Sequence, residues 1–259
     1  MNSTVLIETK GHVFEIKMNL PGTMNSLEKN LRTDLKNALR QFRDSTEGRV
    51  AILTGQGKAF CSGGSLLELK DGLDASAAVN YMQDANEIIK LIVGCGKPII
   101  AAVNGAAVGA GFNIALACDM VVASTNAVFG QAFAKVGLVP DLGGLYFLPR
   151  VVGMHRAKEL ILTARMVKAE EALQMGIVNR LMTPEELETR VLNMAKDIAE
   201  GPAVAYGLGK IILAKTWENN LDDVLQYEAF AQALCMQTAD HKEGVKAFYE
   251  KRKPEFNGK

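Results

Sequence analysis

Two glycine-rich segments contain the residue types best suited to chemistry. The first is Gly57-Lys-Ala-Phe-Cys-Ser-Gly-Gly-Ser65, and the second, Asn104-Gly-Ala-Ala-Val-Gly-Ala-Gly111, leads into a predicted helix. Each follows a predicted parallel strand, and loops at the carboxyl ends of such strands gather ligand sites. Glycine lets the backbone approach a ligand closely, and a helix N-terminus offers free N–H groups. Two such donors pointing at one oxygen would form an oxyanion hole, although glycine turns are also ordinary connections in α/β folds.

Other familiar motifs are incomplete. The pair Gly109-Ala-Gly111 follows a strand, but position 114 is isoleucine where a dinucleotide fingerprint needs its third glycine. A nicotinamide-dependent oxidoreductase is therefore disfavoured. Ser62 does not lie in a Gly-x-Ser-x-Gly elbow, and no histidine is placed by the sequence to activate it or Cys61. We interpret Cys61 as a small buried residue.

Metal and redox sites find little support in the sequence. The three histidines (His12, His155 and His241) are far apart, and the four cysteines have no paired short spacing. This pattern excludes a zinc ribbon and a Cys-x-x-Cys motif, and it is typical of buried thiols in a reducing cytoplasm. Residues 1–8 lack a basic region followed by an apolar run, so no signal peptide is expected. We therefore predict a cytoplasmic protein without a metal site.

The charge balance limits the classes of partner. The chain has 259 residues and a formal net charge of zero, so it lacks the basic excess of a nucleic-acid binder. Residues 98–118 carry no charge and are long enough to span a bilayer. They include a proline, Pro98, and two asparagines, Asn104 and Asn113, whose unsatisfied side-chain amides would be costly in hydrocarbon. We predict a buried strand, a glycine-rich turn and a buried helix there, with no membrane partner.

The elements that position these loops alternate between strand and helix. Residues 4–8 and 12–18 predict a hairpin, and Ser26 is the predicted N-cap of the first helix. Further strands are expected at 49–54, 98–103 and 120–123, with helices at 75–93 and 110–118. Helical periodicity then dominates, at 153–163, 169–175, 185–200, 203–218, 221–237 and 241–251. The pattern favours a parallel α/β core with an appended helical layer.

Several longer segments together resemble one known family. They are residues 21–27, 57–64, 97–111, 117–119, 137–141, 148–153, 172–178 and 243–252. Over nearly its full length the chain resembles the crotonase (enoyl-CoA hydratase/isomerase) superfamily. The resemblance implies an α/β spiral of ββα repeats over residues 1–195 and a helical trimerisation region over 196–259. It also implies a homotrimer, in a family whose trimers often pair into hexamers.

The resemblance implies an acyl-CoA thioester as substrate and no separate cofactor, since coenzyme A is part of the substrate. The two oxyanion N–H groups would belong to Gly64 and Ala110. Ser65 stands where most members of the family have aspartate, and Phe248 and Lys251 resemble a pair that lies near the CoA phosphate of a neighbouring subunit. The implied substrate-binding residues are Asn25, Ser26, Leu27, Ser62, Gly63, Ser65, Leu66, Gly111, Phe133, Leu138, Phe248 and Lys251.

The catalytic carboxylates differ from those of the family's hydratases. By motif position, the two hydratase glutamates correspond to Asn113 and Phe133, neither of which ionises. Asp141 is the carboxylate that remains, at the position where 1,2-epoxyphenylacetyl-CoA isomerases and Δ3,Δ2-enoyl-CoA isomerases carry theirs. An apolar pocket, formed by Phe133, Leu138 and Leu142, would have to raise its pKa from about 3.9 to make it a competent base. Asp141 could alternatively cap a helix.

We therefore expect an acyl-CoA isomerase in which Asp141 is the single acid/base. The chemistry would be a double-bond shift, or the opening of a ring epoxide, through an enolate held by the oxyanion hole. An enoyl-CoA hydratase-like lyase and a catalytically silent acyl-CoA-binding protein stay open as alternatives. The sequence does not specify the acyl group.

Overall fold

The computed structural model describes residues 3–259 and arranges them in two β-sheets with surrounding helices. Met1 and Asn2, which begin the segment where no signal peptide is predicted, lie outside the described residues. The strands are β1 (Val5–Lys10), β2 (Val13–Met18), β3 (Val50–Gly55), β4 (Ala59–Cys61), β5 (Ile99–Val103), β6 (Ala106–Val108), β7 (Met120–Ser124), β8 (Val128–Gly130), β9 (Met166–Lys168) and β10 (Arg180–Met182). The α-helices are α1 (Lys29–Asp44), α2 (Ala75–Val93), α3 (Ala110–Ala117), α4 (Gly144–Val152), α5 (Met154–Thr163), α6 (Ala169–Gln174), α7 (Pro184–Ala199), α8 (Ala203–Lys215), α9 (Leu221–Cys235) and α10 (Ala239–Glu250).

The larger sheet has the strand order β1-β2-β3-β5-β7-β10. Its strands are parallel, except that β1 and β2 form the predicted antiparallel hairpin. The side chains of β5 alternate between two cores. Ile99 and Val103 pack with residues of α1 and α2, whereas Ile100 and Ala102 pack with residues of α7. Because both faces are buried, these strands appear in the sequence as continuous apolar runs.

The smaller sheet joins β4, β6, β8 and β9, each of three residues. The pairs β3–β4 and β5–β6 each place one strand in each sheet and are followed by α2 and α3, so a strand–strand–helix unit repeats. Hydropathy patterns miss these strands because three residues are too few to show an alternation. The smaller sheet positions both glycine-rich loops, since β4 ends at Cys61 and β6 at Val108.

The start of α1 differs from the sequence prediction. Ser26 is the predicted N-cap, but the helix begins at Lys29 and Glu28 occupies the cap position. The reason is that Leu27 forms an isolated β-bridge with Gly64, and its N–H donates to the carbonyl oxygen of Gly63 at 2.8 Å. This pairing keeps the backbone out of the helix and attaches it to the first glycine-rich loop.

The helices after β8 largely follow the predicted bounds, with one addition. Helical periodicity does not predict α4, because Gly143 and Gly144 stand at its start and Pro149 lies inside it. A helix at this point is expected only under the alternative role of Asp141 as a cap. The uncharged segment 98–118 forms β5, β6 and α3. Within residues 3–259, no helix has both the length and the apolar character that crossing a membrane requires.

The last three helices project apolar side chains into solvent. None of the residues of α9 is buried, and Leu225 and Phe230 are among the exposed ones. Lys210 on α8 attaches this region to the core, because its Nζ donates to the carbonyl oxygen of Ile92 and pairs with Asp119 at 2.8 Å. The predicted domain boundary at residue 195 falls inside α7. That division and the trimerisation of the C-terminal region stay predictions.

Candidate active site

The two glycine-rich loops and α2 enclose a pocket of about 280 Å³. The rest of its lining comes from Leu27, from Arg32 on α1 and from the segment between β8 and α4. The lining is mostly apolar, and among the described residues its polar side chains are those of Arg32, Ser62, Tyr81 and Asp141. The predicted site residues that line this pocket are Leu27, Ser62, Gly63, Gly64, Leu66, Ala110, Phe133, Leu138 and Asp141.

The main-chain N–H groups of Gly64 and Ala110 form the candidate oxyanion hole. Ala110 is the first residue of α3, where N–H groups have no partner within the helix. Neither N–H donates a hydrogen bond to another residue of the described chain. The two loops are in contact, since a Cβ placed on Gly63 would lie 3.3 Å from the Ala110 nitrogen and 2.8 Å from the carbonyl oxygen of Val108. Gly63 therefore brings the two donors to one pocket.

A second glycine sets the direction of α3. Gly109 lies at the N-cap with φ 55° and ψ −124°, a backbone conformation that residues with a Cβ avoid. It turns the chain sharply from β6 into the helix, so that the first turn of α3 faces the pocket. The positive end of the helix dipole then lies at the pocket, beside the two candidate N–H donors.

Several predicted substrate-binding residues lie behind the pocket wall: Asn25, Ser26, Ser65 and Gly111. The buried Asn25 amide donates to the carbonyl oxygen of Ala59 at 2.8 Å and so holds the segment before α1 against β4. A Cβ on Gly111 would overlap the carbonyl oxygen of Cys61, so this glycine allows α3 to pack on β4. The implied roles of Asn25, Ser26 and Ser65 in substrate binding stay predictions.

Asp141 supplies the one carboxylate among the described residues that line the pocket. Its Oδ1 atom is buried and has no hydrogen-bond partner within residues 3–259. Burial raises the pKa of Asp141 to about 6. The alternative role as a helix cap is wrong, because Gly143 occupies the cap position of α4 and no side chain caps that helix. The carboxylate is therefore free to exchange a proton with a bound molecule.

The sequence patterns missed two polar residues of the pocket, Arg32 on α1 and Tyr81 on α2. The buried Arg32 guanidinium donates to the carbonyl oxygen of Leu27 at 2.6 Å, to Glu68 at 2.8 Å and to the Tyr81 hydroxyl at 3.2 Å. It also stacks over the Tyr81 ring, 4.3 Å from the centroid. Both residues lie within predicted amphipathic helices, where a polar side chain is expected to face solvent, so no sequence signal singled them out.

Known proteins resemble this chain over its whole length. The family model described as enoyl-CoA hydratase/isomerase matches residues 8–259. A probable enoyl-CoA hydratase of Rhodobacter capsulatus is 39% identical over 99% of this chain and 98% of its own. The 1,2-epoxyphenylacetyl-CoA isomerase of Escherichia coli is 34% identical over 100% of both chains. A crystal structure of an enoyl-CoA hydratase from Bacillus anthracis has a TM-score of 0.94 at 34% identity, covering 99% of this chain and 100% of that one.

The chain belongs to the enoyl-CoA hydratase/isomerase family. The predicted crotonase-like fold is thereby confirmed, and the protein is an enzyme of this hydratase/isomerase family. Similar relatives are mostly named hydratases, with an isomerase among them. Similarity alone therefore does not distinguish hydration from isomerisation, and the residues of the site have to be considered.

Asn113 and Phe133 stand where the family resemblance places the two hydratase glutamates. Asn113 is fully buried, and its Nδ2 donates to the main-chain carbonyl oxygen of Asp141 at 2.8 Å. Its Oδ1 accepts a hydrogen bond from Gln131 at 2.7 Å. Phe133 lines the pocket and contributes an apolar wall. At the first position a carboxylate is replaced by an amide that supports the Asp141 loop.

Phe248 and Lys251 do not line this pocket. Phe248 is exposed at the end of α10 and lines a separate cavity between α8, α9 and α10. Lys251 follows that helix in a left-handed conformation, with φ 53°. The resemblance assigns both residues to the CoA site of a neighbouring subunit, and this assignment stays a prediction.

Proposed function

We propose that this family member is an acyl-CoA isomerase that shifts a double bond, or opens a ring epoxide, with Asp141 as its single acid/base. The observation that supports the proposal most is the Asp141 carboxylate, the one carboxylate among the described residues that line a mostly apolar pocket, whose Oδ1 atom is buried without a hydrogen-bond partner within residues 3–259. An allylic shift needs only one group to remove and return a proton. Hydration by the family's two-glutamate route needs ionisable groups at the positions of Asn113 and Phe133.

The reaction would begin with proton removal. The thioester carbonyl oxygen binds the N–H groups of Gly64 and Ala110, which acidifies the α carbon. Asp141 takes the α proton, and the electron pair moves into the carbonyl to give an enolate. The positive end of α3 stabilises the negative oxygen, since it adds the helix dipole to the two hydrogen bonds.

In the second half of the reaction, Asp141 returns the same proton to a different carbon. The protonated Asp141 donates to the γ carbon as the enolate collapses, so the double bond moves into conjugation and no atom is gained or lost. With a pKa of about 6, Asp141 is largely ionised at neutral pH but accepts a proton more readily than an exposed aspartate. The apolar side chains that raise this pKa also keep bulk water away from the enolate.

Hydration is the second candidate, since relatives of similar identity are named hydratases. In that case Asp141 would have to activate water without the second carboxylate. The two candidates differ in which CoA esters they convert.

The deciding experiment compares 3-enoyl-CoA, 2-enoyl-CoA and epoxide- or oxepin-type CoA esters as substrates. We expect isomerisation of the 3-enoyl ester or of the epoxide type, with little hydration of crotonyl-CoA. Asp141→Asn should lower this activity by about 10²- to 10⁴-fold, the usual contribution of a general acid/base, while binding of the ester persists. Asp197→Asn, an exposed position on α7, is the matched control. Full turnover in Asp141→Asn, or rapid hydration of crotonyl-CoA, would refute the proposal.

A further inference from the structure

The hydroxyl group of Tyr81 lies in the pocket beside the first glycine-rich loop. It is 4.0 Å from the position that a Cβ on Gly64 would occupy, next to the candidate oxyanion donor. Tyr81 projects from α2, whereas Asp141 precedes α4, so the two polar groups come from different walls. The Asp141 carboxylate is suited to accept a proton, and the Tyr81 hydroxyl is suited to donate a hydrogen bond.

Arg32 occupies the Tyr81 oxygen as a hydrogen-bond acceptor. Its guanidinium donates to the Tyr81 oxygen at 3.2 Å and is itself held by Glu68 at 2.8 Å and by the Leu27 carbonyl oxygen at 2.6 Å. The tyrosine oxygen therefore acts as the acceptor towards the arginine. Its own O–H has no acceptor among the described residues, so this proton is available to a molecule bound in the pocket.

The hydroxyl stays protonated at neutral pH. Burial raises the pKa of Tyr81, and the negative charge of Asp141 acts in the same direction, although the Arg32 cation opposes it. The Tyr81 side chain is partly buried in a mostly apolar pocket, where an O–H without an acceptor is unfavourable. A ligand that places an oxygen opposite the hydroxyl would remove this cost.

We infer that Tyr81 is a specificity-determining residue that donates a hydrogen bond to an oxygen in the acyl group, so that the preferred substrates are oxygen-bearing acyl-CoA esters rather than plain hydrocarbon ones. The inference rests on the proposed function only in taking this pocket as the acyl site. Ether, epoxide and hydroxyl oxygens share the required acceptor. The remaining walls, which include Leu69, Leu73 and Met82, accommodate the hydrocarbon part.

The test uses saturated CoA esters, which cannot isomerise, so that binding is measured without turnover. Calorimetry compares an all-carbon acyl-CoA with esters of equal length that carry an ether oxygen at acyl position 3, 4 or 5. We expect one oxa-ester to bind about five- to tenfold more tightly than the all-carbon ester, as for one neutral hydrogen bond in a desolvated site. Tyr81→Phe should abolish that preference and bind the all-carbon ester within about twofold of the wild type. Tyr227→Phe on α9 is the matched control and should retain the preference.

Three outcomes would overturn the inference: no oxa-ester binds more tightly, the preference survives in Tyr81→Phe, or Tyr81→Phe weakens all esters equally. The last result would mean that the hydroxyl contacts the thioester that every ester shares. The same titrations with Asp141→Asn separate this inference from the proposed function. The oxygen preference should persist in Asp141→Asn whether or not that variant retains turnover.

Discussion

Replacing Asp141 by asparagine should make the protein more stable at neutral pH while inactivating it. The carboxylate is partly buried, and its Oδ1 has no hydrogen-bond partner within residues 3–259, so its ionised form lacks solvation in the folded state. Burial raises the pKa from 3.8 to about 6. Asparagine has nearly the same shape and carries no charge, so the variant removes this cost.

The pH dependence follows from proton linkage. Between pH 3.8 and about 6 the folded protein binds more protons at this site than the unfolded chain, so wild-type stability falls as pH rises through that window. At 1.36 kcal/mol for each unit of pKa, the loss is about 0.5 kcal/mol at pH 4 and about 3 kcal/mol above pH 7. The difference in the free energy of unfolding between Asp141→Asn and the wild type should therefore grow by this amount as the pH rises, and it should level off above pH 7.

The assay is urea denaturation of both proteins at one fixed protein concentration, in steps from pH 4 to pH 8. A difference of about 3 kcal/mol corresponds to a melting temperature higher by several degrees for a chain of this size. Asp197→Asn, on the surface of α7, should show no such trend. A stability difference for Asp141→Asn that does not change between pH 4 and pH 8, or a variant less stable than the wild type at pH 8, would refute the reasoning.

Three further substitutions test other parts of the structure. Asn113→Ala removes the donor to the Asp141 carbonyl oxygen and should lower kcat about tenfold with unchanged affinity for CoA esters; weakened binding at unchanged kcat would contradict this role. Gly111→Ala should cost about 1–3 kcal/mol in urea denaturation, because the added Cβ overlaps the Cys61 carbonyl oxygen; a wild-type midpoint would argue against that packing. Lys210→Ala leaves Asp119 without its cation and should cost about 3 kcal/mol by the same measurement; a neutral effect would mean that the pair does not anchor α8.

The sequence predicts the long strands well and the short ones poorly, for a physical reason. β3, β5 and β7 are buried on both faces and therefore appear as apolar runs bounded by turn residues. β4, β6, β8 and β9 are three residues long, so they show no periodicity of their own. Their pairing depends on contacts between distant segments, such as the bridge from Leu27 to Gly64.

The candidate site divides in a similar way. The two glycine-rich loops could be predicted from the sequence because they follow apolar runs typical of strands, whereas the family resemblance indicated Gly64, Ala110 and Asp141. Neither source indicated Tyr81 and Arg32, since each lies in a helix whose pattern predicts a polar, solvent-facing side chain. Their approach to the pocket depends on how α1 and α2 pack against the loops. The hydrogen bond from Asn113 to the Asp141 carbonyl oxygen likewise joins segments that are distant in the sequence.

The pH profile of kcat/KM for isomerisation of a 3-enoyl-CoA ester tests the central claim most directly. If Asp141 is the single base, the rate should rise with pH through an apparent pKa of about 6 and level off above it, because only the ionised carboxylate removes the α proton. In Asp141→Asn the rate should be about 10²- to 10⁴-fold lower, and this rising limb should be absent. A rate independent of pH between 4.5 and 8 in the wild type, or an unchanged rising limb in Asp141→Asn, would contradict the assignment.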